Sequence, residues 1–160
     1  MVEINKTVTL KLIFLISFLA LASAFFIEYV LGHQPCNLCI LERIPYLLAL
    51  IIIVLNYKFI QFERYFILLL ILIFLAATIL SLYHLGIEQG FIEESLVCDL
   101  KKGTDLLSKE DILKQLQEKN ISCKDVTFKI IGLSLTSYNI IISLLITIGS
   151  LRVYLNYDNN

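Results

Sequence analysis

Tyr65 to Ile87 reads YFILLLILIFLAATILSLYHLGI, a stretch with no Asp, Glu, Lys or Arg. A helix needs about 20 predominantly apolar residues to cross the hydrocarbon core of a bilayer, and this run supplies them. Two further runs read the same way. Residues 12–31 carry one charge, Glu28, and residues 130–151 carry none. A fourth, residues 44–55, is too short alone and reaches spanning length only if its helix begins near Cys36 and continues to about Tyr57. Pro45 interrupts that stretch, so the regular helix either starts there or kinks there. Composition agrees: the chain is 58% hydrophobic and 17% charged, against about 45–50% and about 25% in soluble domains. The mean hydropathy is +0.82. The net charge of -1 says nothing about nucleic acid, but no basic stripe is there to follow a phosphate backbone, so no nucleic-acid partner is expected.

The expected fold is therefore an all-α membrane protein, a four-transmembrane-helix bundle forming one domain over residues 1–160. Its spans are expected at about 12–31, 38–57, 65–87 and 130–151, with extracytoplasmic loops at 32–37 and 88–129. Ser108-Lys109-Glu110-Asp111 resembles a helix-capping box and precedes Ile112, Leu113 and Leu116, which predicts a short amphipathic helix over 109–119 in the long second loop. Lys6, Lys11 and Ala22-Ser23-Ala24 imitate a cleavable signal. The apolar run continues to Leu31, however, further than a signal core requires, so retention is expected.

Four spans place both termini on one side and all four cysteines on the other. The loop 88–129 carries seven Lys/Arg, against five in the termini and the turn between the second and third spans, which runs against a simple positive-inside count. Thiol chemistry decides the orientation instead. Disulfides persist outside the reducing cytosol, so the cysteines are expected on the periplasmic face of a bacterial inner membrane, with both termini cytoplasmic.

The chemistry is concentrated in Gln34-Pro35-Cys36-Asn37-Leu38-Cys39-Ile40-Leu41-Glu42-Arg43. A Cys-x-x-Cys serves redox, zinc and haem sites alike. Ile40 stands where haem attachment needs His, and Cys98 and Cys123 are too far apart to form a second zinc knuckle. Cys36 and Cys39 would close too short a loop for a disulfide there to stabilise much, so redox use is favoured. A Cys98 to Cys123 bridge would stabilise its loop by about 3 kcal/mol, so that pair reads as structural as readily as catalytic. Four cysteines permit three connectivities. After mild reduction, both loop cysteines are expected to react readily with membrane-impermeant thiol reagents applied to intact cells.

Arg43 follows Cys39 by one helical turn, where a guanidinium would favour a thiolate and an anionic acceptor beside it; the alternative is a lipid-headgroup anchor. Glu42 is expected to be solvated. Glu28 and His84, near the outer ends of their spans, are candidates for proton or charge handling. His33 reads as a loop residue.

These features together resemble the disulfide bond formation protein B (DsbB) family of quinone-reducing inner-membrane thiol oxidases. The resemblance rests on four spans, Pro35-Cys36-x-x-Cys39-x-x-x-Arg43 opening the second, a cysteine pair in the loop after the third, and Gly132-Leu133 entering the fourth. It implies redox disulfides Cys36–Cys39 and Cys98–Cys123 and a periplasmic DsbA-like partner that attacks Cys98. Released Cys123 then attacks Cys36, and Cys39 passes electrons to a membrane quinone, ubiquinone or menaquinone, bound at Arg43 with His84 as a further candidate. No metal is implied. Two alternatives stand beside it. One is a vitamin K epoxide reductase-like enzyme, whose Cys-x-x-Cys follows the loop pair instead of preceding it. The other is a non-enzymatic membrane protein with structural disulfides or a zinc site.

Overall fold

The computed structural model describes residues 6–93, 98, 123–124, 129–130 and 132–156. Four helical segments are long and apolar enough to cross a membrane. The first is α1 (Lys6–Tyr29). The second is α2 (Asn37–Leu41) followed by α3 (Ile44–Lys58). A 3-10 turn (Ile60–Phe62) leads into the third, α4 (Glu63–Glu88). The short strands β1 (Lys129–Ile130) and β2 (Leu133–Ser134) precede the fourth, α5 (Leu135–Asn156). The helix expected over 109–119 lies outside the described residues.

The second span is broken at Glu42–Arg43. Pro45, the second residue of α3, has no N–H to give to the Leu41 carbonyl, so the ladder cannot run through. The chain bridges the gap with Arg43 N–H donating to the Ile40 carbonyl at 3.1 Å and Leu47 N–H to the Arg43 carbonyl at 3.2 Å.

The fourth span begins at Leu135, later than the expected residue 130. The cause is a tight antiparallel hairpin pairing Ile130 with Leu133, whose turn holds Gly132 at φ +80°, a conformation that favours glycine. At the end of α4, Phe91 and Ile92 N–H groups both donate to the Gly86 carbonyl. Ile92 folds over Gly86 so closely that a Cβ there would lie 2.6 Å from its Cδ1.

Side chains sort as a bilayer requires. Phe18, Leu19, Val54, Leu72, Ile79 and Leu145 point outward. Inside, Ile13, Leu21, Tyr46, Ala49, Ile53, Leu70, Phe74 and Ile146 form the core, joined by Ser17, Ser81, Ser143 and Ser150, each at most 2% exposed. Lipid tails are as apolar as leucine, so helices in a membrane associate through close packing and interhelical hydrogen bonds, which small hydroxyl residues supply. Asn139 Nδ2 donates to Ser81 Oγ at 2.8 Å, and the Tyr46 hydroxyl bonds the Asn139 side-chain carbonyl.

Phe74, fully buried, meets the Tyr46 ring edge-on at 5.5 Å between centroids. Phe74→Ala should lower stability by about 1–3 kcal/mol, below the about 3–5 of water-soluble cores because the transfer contribution is largely absent in lipid. The midpoint of unfolding in mild detergent measures this; an unchanged midpoint would mean that the bundle closes over the gap.

The bundle has two chemically different ends. At one, Lys6 Nζ donates to Glu63 at 2.6 Å and the Arg64 guanidinium lies 5.3 Å from the Tyr154 ring centre, which ties the starts of α1 and α4 to the end of α5. The opposite end gathers the cysteines.

Candidate functional site

Cys36 is the residue before the first turn of α2, and its Sγ accepts the Cys39 N–H at 3.2 Å. That bond fixes both cysteines on one turn. Cys98 and Cys123, 25 apart in sequence, are joined as a disulfide. Cys36 and Cys39 are thiols in this structure, so the bond expected between them is not present. The reduced pair is held instead by the Cys39 amide and by His84, whose Nε2 lies 3.6 Å from Cys36 Sγ. The Cys36 thiol, just outside the span, is pulled down to about 5. The Cys39 side-chain hydrogen bond is the main cause, and His84 adds to it against the opposing effect of burial.

The loop disulfide is packed against this turn. Cys36, Leu38, Ile87 and Cys123 form one buried cluster, with Cys39 and Cys98 against it, and Asn37 Nδ2 donates to the Cys98 carbonyl at 3.1 Å. Within the disulfide the two sulfurs differ: Cys98 is half-buried while Cys123 is 2% exposed, because apolar contacts with the Cys36 turn cover it.

Glu42 also departs from expectation. It is 8% exposed, since the break before α3 turns it inward, where its Oε1 lies 3.0 Å from His84 Nδ1. With the Glu42 carboxyl oxygen accepting, Nδ1 carries the hydrogen and Nε2 is left facing Cys36. Behind the ring, Thr136 Oγ1 approaches Nδ1 at 3.3 Å and donates to Glu88 Oε1 at 2.6 Å. Composition and spacing missed Thr136 and Glu88. The available signal was His84 and Glu88 four apart at the end of an apolar run.

Next to this cluster lies a cavity of about 320 Å³, walled by Ala20, Ala24, Ile27 and Ile142 and reached by Cys39, Glu42, Arg43, Tyr46 and Asn139. His33, read from sequence as a plain loop residue, also lines it. His84 is not among its lining residues and contacts Cys36 instead. Arg43 pairs with Glu28 at 2.5 Å and lies 5.2 Å from the Phe25 ring centre. Glu28 thus holds Arg43, and the aromatic face and the carboxylate together fix the guanidinium at the cavity wall.

Comparison with known proteins adds two findings. Residues 6–153 match the family described as Disulfide bond formation protein DsbB. The chain is also 34% identical over 143 residues to the uncharacterized protein RP370 of Rickettsia prowazekii (strain Madrid E), an alignment covering 87% of this chain and 83% of that protein.

Proposed function

The chain belongs to the DsbB family, and from that premise we propose that this multi-pass membrane disulfide-bond formation protein reoxidises a periplasmic DsbA-like dithiol and passes the electrons to a membrane quinone. The reading places it in a bacterial inner membrane with cytoplasmic termini and the cysteine end periplasmic.

One observation carries it: a single turn of chain presents Cys36 to the loop disulfide and Cys39 to the cavity. Electrons entering at the loop therefore have a short covalent route to the chamber. The partner thiolate attacks Cys98, the more accessible sulfur, and breaks the Cys98–Cys123 bond. Cys123 leaves as a thiolate beside Cys36. With the Cys36–Cys39 pair oxidised, Cys123 attacks Cys36 and Cys39 becomes the thiolate, facing the cavity with Arg43 on the same wall.

The cavity fits a quinone head. Its volume lies near the lower end of the roughly 300–1,000 Å³ of small-molecule sites, and it combines apolar walls with a few polar groups. A bound quinone takes up two electrons and two protons. Arg43 supplies positive charge where negative charge develops, and Tyr46 and Asn139 supply hydrogen-bonding groups. His84 takes the Cys36 proton when the pair is reduced, and Glu42, touching both His84 and the cavity, carries it toward the same chamber.

Anaerobic mixing of the reduced full chain with a short-chain quinone tests the reading. Two thiols should disappear for each quinol formed; thiol loss without quinol, or no loss, would overturn it. In the same assay His84→Ala should slow oxidation of the Cys36–Cys39 pair by about tenfold, less than for oxygen nucleophiles because a thiol ionises readily. An unchanged single-turnover rate would leave His84 a packing residue.

A further inference from the structure

We propose that Cys36, Cys39 and His84 form a binding site for a soft divalent metal ion, of the zinc and cadmium class, that exists only while the cysteine pair is reduced. The two sulfurs and a ring nitrogen of His84 all lie within 4.8 Å of one another. Tetrahedral zinc, with bonds of about 2.3 Å to sulfur and about 2.0–2.1 Å to nitrogen, sets its ligands about 3.6 Å apart for sulfur and nitrogen. Cys36 Sγ and His84 Nε2 stand at 3.6 Å. Drawing in the remaining ligand pairs takes about 1 Å at most, within the reach of a side-chain rotation.

The surroundings are those of a built site. Glu42 at 3.0 Å from Nδ1 orients the ring with Nε2 toward the sulfurs, the carboxylate–histidine support that metal-bound imidazoles use. Glu88 Oε1 lies 3.8 Å from Nε2 and adds negative charge. Its Oε2 is buried without a hydrogen-bond partner among the described residues. Cys39 borders the cavity, so the fourth coordination position opens there, a three-ligand arrangement with one vacant place. Thiolate and imidazole ligands select soft and borderline ions and reject magnesium and calcium.

Binding involves no electron transfer. The ion displaces the protons still carried by the two thiols and forms two metal–sulfur bonds and one metal–nitrogen bond. Joining the sulfurs to each other removes both thiolate ligands and leaves His84 alone, so oxidation abolishes the site. The consequence for turnover rests on the function proposed above: an ion held here withholds both sulfurs from the quinone and arrests the enzyme in its reduced form.

The experiment uses the full chain in detergent, reduced and freed of reductant under anaerobic conditions, with no quinone added. Cadmium is followed by its ultraviolet thiolate charge-transfer absorption and cobalt by its visible bands. One ion per chain is expected, with the strong visible bands of tetrahedral cobalt. Oxidation of the pair should abolish binding, and His84→Ala and His84→Gln should each weaken it at least about tenfold. A Cys98→Ala/Cys123→Ala double variant should bind as the parent does. Equal affinity in both folded His84 variants, octahedral cobalt, or binding lost with the loop pair would overturn the site. Because no quinone is present, these outcomes are independent of the oxidase reading. Metal bound without inhibition of quinol formation would refute the arrest alone.

Discussion

Cys123→Ala is expected to abolish net oxidation of the partner and, offered a partner whose thiol is pre-activated as a mixed disulfide with a small leaving thiol, to hold that partner in a stable disulfide with Cys98. The expectation follows from where the two sulfurs sit. Cys98 is the half-buried member of the loop disulfide and Cys123 the buried one, packed with Cys36. Without Cys123, Cys98 is a free thiol. The Cys98 thiolate displaces the small thiol from the pre-activated partner, and with no neighbouring sulfur to attack the new bond the mixed species persists. Non-reducing gels after acid quench should show the covalent complex, and removal of Cys98 as well should eliminate it. Partner oxidation at the parental rate in Cys123→Ala would return the loop pair to a purely stabilising role.

The second large effect concerns Arg43. Removing one preorganised donor from a site where negative charge develops typically costs 10²–10³ in rate, so Arg43→Ala should lower kcat/KM for a short-chain quinone by about 10²-fold. Arg43→Lys should recover part of this, since the charge remains while the planar fork that meets Glu28 is lost. Exchange between the cysteine pairs, followed by single-turnover thiol trapping without quinone, should change much less, because Arg43 faces the cavity and not Cys123. A variant that slows exchange and spares quinone reduction would identify Arg43 as a structural anchor for α1 through Glu28.

Much of the fold was legible because a bilayer imposes a simple length criterion on apolar runs, which three runs meet outright and the fourth meets once the Cys36 turn is joined to it. The ends of the helices were less so. α1 already includes Lys6, ahead of the expected residue 12, and Lys6 meets Glu63, a partner 57 positions away that periodicity does not reveal. The late start of α5 depends on backbone geometry at Gly132. In the candidate site, Cys36, Cys39 and Arg43 could be singled out by their spacing along one short segment, and the structure places Cys39 and Arg43 on one cavity. Glu42 was misread because its environment is made by α4 and α5, where His84 and Thr136 close over it. Glu28 was recognised as an unusual intramembrane carboxylate, but its role of holding Arg43 needed the two helices side by side. What sequence reasoning lacked was contact across helices.

The loop disulfide has a front and a back. Small thiols dissolved in the surrounding water meet Cys98 far more readily than Cys123, which is 2% exposed, and the Cys36 turn behind it is sealed by Leu38 and Ile87. In the proposed relay this works as electrical insulation. A stray reductant that attacks the front sulfur is treated as the partner would be, and its electrons run inward. Cys36 and Cys123 cannot be tapped from the water, so current leaks at the terminal and not along this part of the wire. Selectivity for the physiological partner then falls on the surface around Cys98, leaving the buried conductor free of any need to recognise it.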